Sequence, residues 1–246
     1  MAIRFDNTTD YLSRTTSLPP IASFTIMSWA QLSVDKNDYV GFFSFGESSG
    51  GRFFEIGTFT DGVSFHLYNG SVETSGSALT VGVWYHCSLV VSGTGVGASI
   101  ARIATLTGVL QTLTLDGNAA MAAQELIFGS GNSANLIDFM NGRLAAVKIY
   151  NAPLTLPEIL TEMPFYLPQR QAHLNASYPL LTHVENQDIS QQGQLLTING
   201  TLTTEDGPPI AWAPYYPLRI IPSIPVQANR VSPIIIQQAV HRAASY

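Results

Sequence analysis

The stretch Phe24-Thr-Ile-Met-Ser-Trp-Ala-Gln-Leu32 carries apolar side chains on both of its faces when it is written as extended backbone. Successive side chains of a strand point to opposite faces, so Phe24 and Ile26 lie on one face and Trp29 on the other. A strand that is apolar on both faces is typical of the centre of a sheet with protein packed above and below it. The stretch therefore predicts a β protein in which this strand is covered on both sides.

Short strand-like segments extend from this stretch in both directions. They are rich in β-branched and aromatic residues, and Gly, Asn, Asp or Ser interrupts them about every ten positions. Asp61-Gly62 and Asn69-Gly70 flank the segment Val63–Tyr68, and such pairs strongly favour β-hairpins. About eleven strands exceed what one open twisted sheet holds, so we predict an all-β fold, an antiparallel two-sheet jelly-roll sandwich. The predicted strands are Ile3–Phe5, Tyr11–Ser13, Phe24–Leu32, Val40–Gly46, Phe53–Thr58, Val63–Tyr68, Trp84–Ser92, Ser99–Leu106, Gly108–Thr114, Glu125–Gly129 and Phe139–Tyr150.

One short helix is expected after the last of these strands. Thr155 has the side chain of a helix N-cap, Pro157 fits the first turn, and Glu158 stands three residues after the cap. This spacing is a capping box, in which the Glu carboxylate accepts the backbone N–H of the N-cap residue. Because Pro164 cannot continue a helix, the pattern predicts about two turns.

Four blocks of the sequence carry a family resemblance: Ile3–Leu12, Phe24–Trp29, Trp84–Val91 and Phe139–Ile159. Their order and spacing resemble those of the concanavalin A-like, laminin-G-type domains. The resemblance covers roughly residues 1–165, and it implies a jelly-roll sandwich whose last strand leads into a short helix. Domains of this type also occur in phage virion proteins. The resemblance is to the framework of the fold, which does not by itself determine a function.

Composition divides the chain into three parts. Residues 1–166 are the predicted sandwich, and residues 167–211 are expected to be strands and loops packed on it. Residues 212–246 form a predicted extended arm, because frequent proline excludes a helix or a central strand in a segment that is otherwise apolar. Such an arm needs a surface to lie on, in its own domain or on a neighbouring subunit, and we favour the neighbouring subunit. The expected contact residues of the arm are Trp212, Tyr215, Tyr216, Arg219, Ile220, Ile221, Ile224, Arg230, Ile234, Ile235 and Ile236.

The chain has few charges, and they are unevenly distributed. Asp and Glu number 17 and Lys and Arg number 11, which gives a net charge of −6. After Asp206 the only charged residues are Arg219, Arg230 and Arg242, so residues 207–246 carry a net charge of +3. Residues 1–206 contain eight cations and 17 acidic groups and carry a net charge of −9. This balance argues against nucleic acid as a partner, because nucleic-acid binding depends on Lys and Arg. No apolar run approaches the ~20 residues of a membrane span, so no membrane partner is expected.

Side chains suited to catalysis or to a zinc site are sparse. A retaining glycosidase needs two carboxylates about 5–5.5 Å apart, which positions two residues apart on one strand can supply, and no predicted strand has such a pair. The five histidines show neither His-x-x-x-His nor His-Glu-x-x-His spacing. His86 is interpreted as a core or half-buried sheet residue, and the single cysteine, Cys87, as a buried strand residue. We therefore expect a protein that is not an enzyme.

The sequence leaves alternatives open for two kinds of binding site, a calcium site and a glycan platform. We expect no cofactor, with calcium as the alternative, since oxygen donors in turns can hold Ca²⁺ but more often satisfy backbone groups. The donors are Asp6, Asp10, Asp61, Asn69, Asp116 and Asp138. A glycan platform needs aromatic rings beside polar groups, and a buried core position is an equal alternative for each candidate ring. The candidates are Tyr39, Phe59, Tyr68 and Tyr85.

Two functions agree with these observations. The first is a non-catalytic structural or assembly protein, a phage virion component such as a capsid decoration or tail protein, whose arm docks on copies of itself and on a capsid or tail protein. The second is a carbohydrate-binding, lectin-like module for receptor or surface attachment. Residues Met1–Asp6 lead directly into a strand pattern without the apolar core of a secretory signal. We therefore expect assembly in a host cytoplasm and a location in the virion.

Overall fold

The structure is a computed structural model of the 246-residue chain. It describes residues 1–6, 8–15, 23–46, 52–70, 72–93, 95–116, 125–131, 138–182, 187–190 and 192–212. Trp212 is the one predicted arm contact within these ranges. The other contact residues of the arm, from Tyr215 to Ile236, lie outside the described residues.

The described residues form strands and one short helix. The strands are β1 Ala2–Asp6, β2 Tyr11–Thr15, β3 Phe24–Leu32, β4 Val40–Gly46, β5 Arg52–Thr58, β6 Ser64–Tyr68, β7 Glu73–Ala78, β8 Trp84–Val91, β9 Ser99–Thr105, β10 Gly108–Leu115, β11 Glu125–Phe128, β12 Asn141–Tyr150, β13 Leu174–Tyr178, β14 Thr197–Asn199 and β15 Thr203–Glu205. The helix, α1, spans Leu156–Glu162 and lies between β12 and β13 in the chain.

The strands pair into two antiparallel sheets. Sheet A has the order β10-β9-β8-β3-β12-β1-β15, and β13 also pairs with β12. Sheet B has the order β14-β2-β11-β4-β5-β6-β7. Strand β3 lies between β8 and β12, and all nine of its residues are buried. The predicted central strand and the two-sheet jelly-roll class are therefore confirmed.

The main core lies between the two sheets and is rich in phenylalanine. The ring of Phe24 on β3 contacts Phe45 on β4, with centroids 4.7 Å apart, and Phe54 on β5, with centroids 6.0 Å apart. Phe65 and Leu67 on β6 point into the same core. Because full burial of a large apolar side chain contributes about 1.5–3 kcal/mol, these contacts hold sheet B against sheet A.

The outer face of sheet A is covered by α1 and the chain that follows it. The indole Nε1 of Trp29 donates a hydrogen bond to the carbonyl oxygen of Met163 at 2.9 Å. The buried ammonium of Lys148 on β12 donates to the carboxylate of Glu162 at 2.9 Å and to its backbone carbonyl at 2.7 Å. This cover is the reason that β3 is apolar on both faces.

Helix α1 begins after Thr155, as the capping box predicts. The carboxylate of Glu158 accepts hydrogen bonds from the backbone N–H and the hydroxyl of Thr155, each at 2.8 Å. The helix ends at Glu162, two residues before Pro164. In the described part of the chain, no helix has the length and apolar character that crossing a bilayer requires.

Strand β7 is absent from the sequence prediction. Its residues Glu73–Ala78 include no large apolar side chain, so they show no period-2 signal, and the strand forms by pairing with β6 at the edge of sheet B. After α1, the chain adds strands to both sheets. Strand β13 pairs with β12, β14 pairs with β2, and β15 pairs with β1.

Candidate functional site

Two of the candidate platform rings, Tyr39 and Phe59, meet on the outer face of sheet B. Tyr39 immediately precedes β4, and Phe59 immediately follows β5. These strands are antiparallel and pair Val40 with Thr58, which brings the two aromatic residues to neighbouring positions across the sheet. Their ring centroids are 5.3 Å apart, and the planes are nearly perpendicular at 73°.

Strand β6 contributes two further side chains to the same face. Because Phe65 and Leu67 point into the core, the alternation along the strand directs His66 and Tyr68 outward. The His66 ring lies 5.5 Å from Tyr39 and 5.6 Å from Phe59, measured between centroids. Tyr68 is half-buried at the end of β6. Sequence analysis considered the histidines only for metal-ligand spacing, so it missed this contact of His66.

Glu73, the first residue of β7, completes the cluster. Its Oε2 accepts a hydrogen bond from the Tyr39 hydroxyl at 3.3 Å and lies 3.5 Å from His66 Nε2. We refer to Tyr39, Phe59, His66 and Glu73 as the aromatic site. His66 is buried and forms its floor, Tyr39 and Phe59 are half-buried, and Glu73 is exposed at its rim. A half-open pair of rings beside a carboxylate can contact both the apolar face and the hydroxyl groups of a ligand.

A rigid turn places Phe59 relative to β6. The carboxylate of Asp61 accepts the backbone N–H groups of Val63 and Ser64 and also contacts the Ser64 hydroxyl. Gly62 adopts a φ of 74°, which glycine tolerates without steric cost. Burial raises the pKa of Asp61, but the hydrogen bonds from Ser64 and Val63 outweigh it and hold the pKa below its usual value. Asp61 is therefore ionised at neutral pH and keeps the turn in place.

Tyr85 lies apart from the aromatic site. It belongs to β8 in sheet A, and its ring is buried in the core between the sheets. Its hydroxyl accepts a hydrogen bond from the backbone N–H of Thr80 at 3.0 Å. The structure therefore brings Tyr39 and Phe59 together, keeps Tyr68 on the same face, and places Tyr85 in the interior.

The two loops that hold the rings of the aromatic site are rich in carboxylates. The loop before β4 carries Asp35 and Asp38, and the loop after β5 carries Asp61. The two loops are in close contact, since a β-carbon on Gly62 would come within 2.7 Å of Asp35 Oδ1 and 2.6 Å of the Asn37 nitrogen. Lys36 is the single cation of these loops, and its ammonium donates to the carbonyl oxygen of Phe139 at 3.3 Å. These two loops therefore carry more acidic than basic side chains.

A second carboxylate, Glu55, lies on the same face but is enclosed. Glu55 on β5 pairs with Tyr68, which in turn pairs with Glu73, so two strand spacings, about 9.5 Å, separate the backbones of the two acids. The backbone of Gly131 lies against the Glu55 carboxylate, where a β-carbon would come within 2.4 Å of Oε1. Glu55 is fully buried, so its carboxylate is not exposed to solvent beside Glu73.

The proposed calcium donors are engaged in turns. Asn69 Oδ1 accepts the N–H of Val72 at 2.9 Å, Asp116 Oδ1 accepts that of Gly97 at 2.9 Å, and Asp10 Oδ1 accepts that of Thr201 at 2.7 Å. Asp6 contacts Thr8, and Asp61 holds the turn described above. Asp138 has a φ of 62° and its backbone carbonyl accepts the N–H of Gly41. Among the described residues, no three His, Cys, Asp or Glu side chains gather as a metal site would require.

His86 and Cys87 on β8 are both buried. His86 packs edge-on against Trp29, with ring centroids 5.5 Å apart. Burial, together with the nearby positive charge of Lys148, lowers the pKa of His86 to about 3. Burial also raises the pKa of the Cys87 thiol, which is therefore protonated. Neither side chain is accessible to a ligand, in agreement with their interpretation as structural residues.

An apolar groove is open at one corner of the outer face of sheet A. It has a volume of about 310 Å³, and its lining is almost entirely apolar apart from two threonines. Arg143 lies over the Trp84 ring, 5.8 Å from its centroid, and pairs with Glu205 at 3.3 Å. Nearby, half-exposed Trp212 packs against Tyr166. The groove is lined by Trp29, Val83, Trp84, Thr105, Leu106, Thr107 and Pro209.

Solved structures share the fold over much of the chain. A protein from Bacteroides ovatus ATCC 8483 assigned as carbohydrate-binding is 16% identical with a TM-score of 0.60, and the match covers 84% of this chain and 60% of that one. A heptameric SAP-like pentraxin from Limulus polyphemus is 14% identical with a TM-score of 0.57, covering 83% and 95%. A tailspike protein of the Escherichia coli O157:H7 bacteriophage CAB120 is 17% identical with a TM-score of 0.54, covering 72% and 26%. These likenesses concern the fold.

Sequence comparison identifies the family. No curated protein matches the sequence. The family model described as the concanavalin A-like lectin/glucanases superfamily matches residues 6–160, which is more than half of the chain and includes both the aromatic site and most of sheet A. The chain belongs to the concanavalin A-like lectin/glucanases superfamily.

Proposed function

We propose that this protein is a non-catalytic structural subunit of a larger assembly, a phage virion component such as a capsid decoration or tail protein. The observation that carries the proposal is the open apolar groove on sheet A. Val83 and Leu106 at this groove are 37% and 45% exposed, beside the aromatic face of Trp84. Contiguous exposed apolar surface in a soluble protein is typical of an interaction site.

The charge distribution supports the same function. The part of the chain up to Asp206 carries −9 and the part after it +3, so copies of the chain can approach with complementary charge. Only 11% of the residues in the chain are charged. A surface with so few charges is poorly suited to an isolated soluble subunit, but it is less unfavourable in a subunit packed against neighbours. We propose that residues 212–246 act as an arm that docks on neighbouring subunits, both copies of this chain and a capsid or tail protein.

The test is the self-association of the purified chain. Sedimentation velocity would compare the full chain with a deletion of residues 213–246 and with Leu106→Glu, which places a charge at the groove. Val96→Glu is the matched control, since Val96 is 94% exposed and does not line the groove. We expect the full chain and the control to associate as concentration rises, and the two other variants to stay monomeric.

Unchanged association of the two variants would contradict the proposal. If the deletion variant and Leu106→Glu associate as the full chain does, neither the arm nor the groove connects subunits. Near-ultraviolet circular dichroism of each variant verifies that the sandwich is folded, so a loss of association is attributable to the altered surface.

A second candidate function, carbohydrate binding for receptor or surface attachment, is favoured by the aromatic site. Tyr39 and Phe59 are rings that a sugar can stack on, and Glu73 supplies a hydrogen-bond acceptor at the rim. A glycan array would test it, with and without EDTA so that a calcium requirement is also detected. We expect Tyr39→Ala to lose the binding and Trp212→Ala, an exposed aromatic near the sheet A face, to keep it. An array with no bound glycan contradicts this function.

A further inference from the structure

We propose that the apolar groove on sheet A binds residues 220–226 from the arm of a second copy of this chain, in the polyproline II conformation. This inference rests on the first proposed function, a subunit that assembles through its arm, and it names the occupant of the groove. It follows from three observations: the size and lining of the groove, the order of residues in the arm, and the place where the arm begins.

The first observation is the size and lining of the groove. Its volume of about 310 Å³ is near the lower limit of the ~300–1,000 Å³ of ligand pockets, so it has room for a few side chains of a narrow segment. Of its lining residues, Trp84 is half-buried, and Leu106 and Pro209 are exposed. Proline-rich segments dock in aromatic-lined grooves of this kind, because a polyproline II helix is narrow and already extended.

Two threonines in the lining of the groove suit the backbone of such a segment. The hydroxyl oxygens of Thr105 and Thr107 lie 2.7 Å apart and share a hydrogen bond. Two hydroxyl groups carry two protons and their mutual bond uses one, so the second can be donated to a carbonyl oxygen of a bound chain. A polyproline II segment has no internal hydrogen bonds, and its carbonyl oxygens can therefore accept this proton.

The second observation is a short repeat in the sequence of the arm. Two Ile-Pro dipeptides, Ile221-Pro222 and Ile224-Pro225, stand three residues apart. Proline fixes its own φ and restricts the residue before it to extended conformations, so both dipeptides favour polyproline II. Because this helix has three residues per turn, the two dipeptides face the same side. The segment therefore loses little conformational entropy on binding and presents two equivalent apolar steps to a groove.

The third observation is the place where the arm begins. Pro209 lines the groove, and the last described residue, Trp212, follows three positions later. Pro214 and Pro217 come next in the sequence and favour extended chain. At ~3.1 Å per residue, an extended chain from position 212 to position 221 spans about 28 Å, which carries the segment past the groove beside which it begins. It therefore reaches a groove on a second copy, and exchange of arms between two copies gives each groove an occupant.

The experiment mixes two full-length variants, each defective in one half of the contact. Leu106→Glu places a charge at the groove and keeps the arm, whereas the double variant Ile221→Asp, Ile224→Asp alters the arm and keeps the groove. Sedimentation velocity follows each variant alone and their equimolar mixture. We expect each variant alone to stay monomeric and the mixture to form a mixed dimer, since one intact groove and one intact arm remain. Formation of this dimer also shows that both variants are folded.

A labelled peptide tests the conformation of the segment. A fluorescein-labelled peptide of residues 217–228 is titrated into the full-length Ile221→Asp, Ile224→Asp variant, and fluorescence anisotropy reports its binding. We expect a peptide with alanine in place of Pro222 and Pro225 to bind about tenfold more weakly, because it is less restricted before it binds. Adding Leu106→Glu to the protein should weaken binding of the original peptide by a similar factor, and adding Val96→Glu, the control, should leave it unchanged.

The outcomes separate this inference from the assembly proposal. A mixture that stays monomeric, or a peptide that binds equally well without its prolines, overturns the inference. If the arm variant alone associates as the full chain does while Leu106→Glu stays monomeric, the groove joins copies in another way, and the assembly proposal stands without this occupant. If the full chain itself stays monomeric at every concentration, both are wrong.

Discussion

The outer faces of the two sheets differ in what covers them. On sheet A, helix α1 and the following chain bury Trp29 and the Lys148–Glu162 ion pair, so this face is largely interior. On sheet B, Tyr39, Phe59 and Glu73 are partly open to solvent, and they come from three strands, β4, β5 and β7, and their loops. The residues that α1 covers on sheet A are therefore buried and serve stability, whereas the rings of the aromatic site on sheet B are partly exposed.

The largest expected effect comes from breaking the buried ion pair on sheet A. Glu162→Ala leaves the Lys148 ammonium without its partner and should lower the free energy of unfolding by about 3–5 kcal/mol in urea denaturation. Glu205→Ala is the control, because that acid is 42% exposed and its ion pairs with Arg4 and Arg143 contribute under about 1 kcal/mol. Equal losses in the two variants would show that the cover on sheet A is not held by the buried pair.

The next effect is a pH dependence carried by His86. Its pKa is about 3 in the folded protein against about 6.5 when unfolded, so between these values the unfolded chain binds more protons. Stability is therefore present above pH 6.5 and is lost as pH falls toward 3. Between pH 7 and pH 4.5 the wild type should lose about 2–3 kcal/mol more than His86→Gln does.

Urea denaturation at the two pH values measures this difference. His173→Asn is the matched control, since His173 is exposed in a loop with a φ of 63°, a conformation that asparagine tolerates. This control removes an exposed histidine and keeps the buried His86, so its free energies of unfolding at the two pH values are compared directly with those of His86→Gln. If the free energy of unfolding of the wild type falls by the same amount as that of His86→Gln between pH 7 and pH 4.5, the buried histidine is not the cause of the loss of stability in acid.

The smallest effect on stability is expected on sheet B. Tyr39→Ala removes a half-buried ring at the end of a strand and should cost about 1 kcal/mol or less in thermal or urea denaturation. The same variant should abolish glycan binding, so it separates function from stability. A loss comparable with that of Glu162→Ala would mean that the aromatic site is part of the core.

Much of the fold could be predicted from local pattern. The two apolar faces of Phe24–Leu32 predict the central strand, and the Thr155–Glu158 spacing predicts the start of α1. Strand β7 could not be found this way, because Glu73–Ala78 carries no apolar alternation and gains its structure from pairing with β6. Edge strands depend on a partner that the local sequence does not reveal.

The sequence predicted only part of the candidate site, because contacts between strands depend on tertiary pairing. Tyr39 and Phe59 were found by residue type, but their contact with His66 depends on the register between β4, β5 and β6. A signal did exist for Tyr85, which shares the parity of Cys87 on β8 and so belongs to the core side. Alternation within one strand can be read from sequence, whereas the distances between strands follow from tertiary pairing.

The measurement that tests the assembly proposal most directly is photo-crosslinking from the groove. A photoreactive phenylalanine analogue in place of Leu106 in the full chain is irradiated at high protein concentration, with the same analogue in place of Val96 as control. Isotope-labelled and unlabelled chains are mixed, and the crosslinked peptides are identified by mass spectrometry. A crosslink that joins a labelled to an unlabelled peptide connects two chains, which distinguishes it from a crosslink within one chain. We predict abundant crosslinks between chains from position 106 and few from position 96. Crosslinks confined to single chains, or equal yields from both positions, would contradict the proposal that this surface joins subunits.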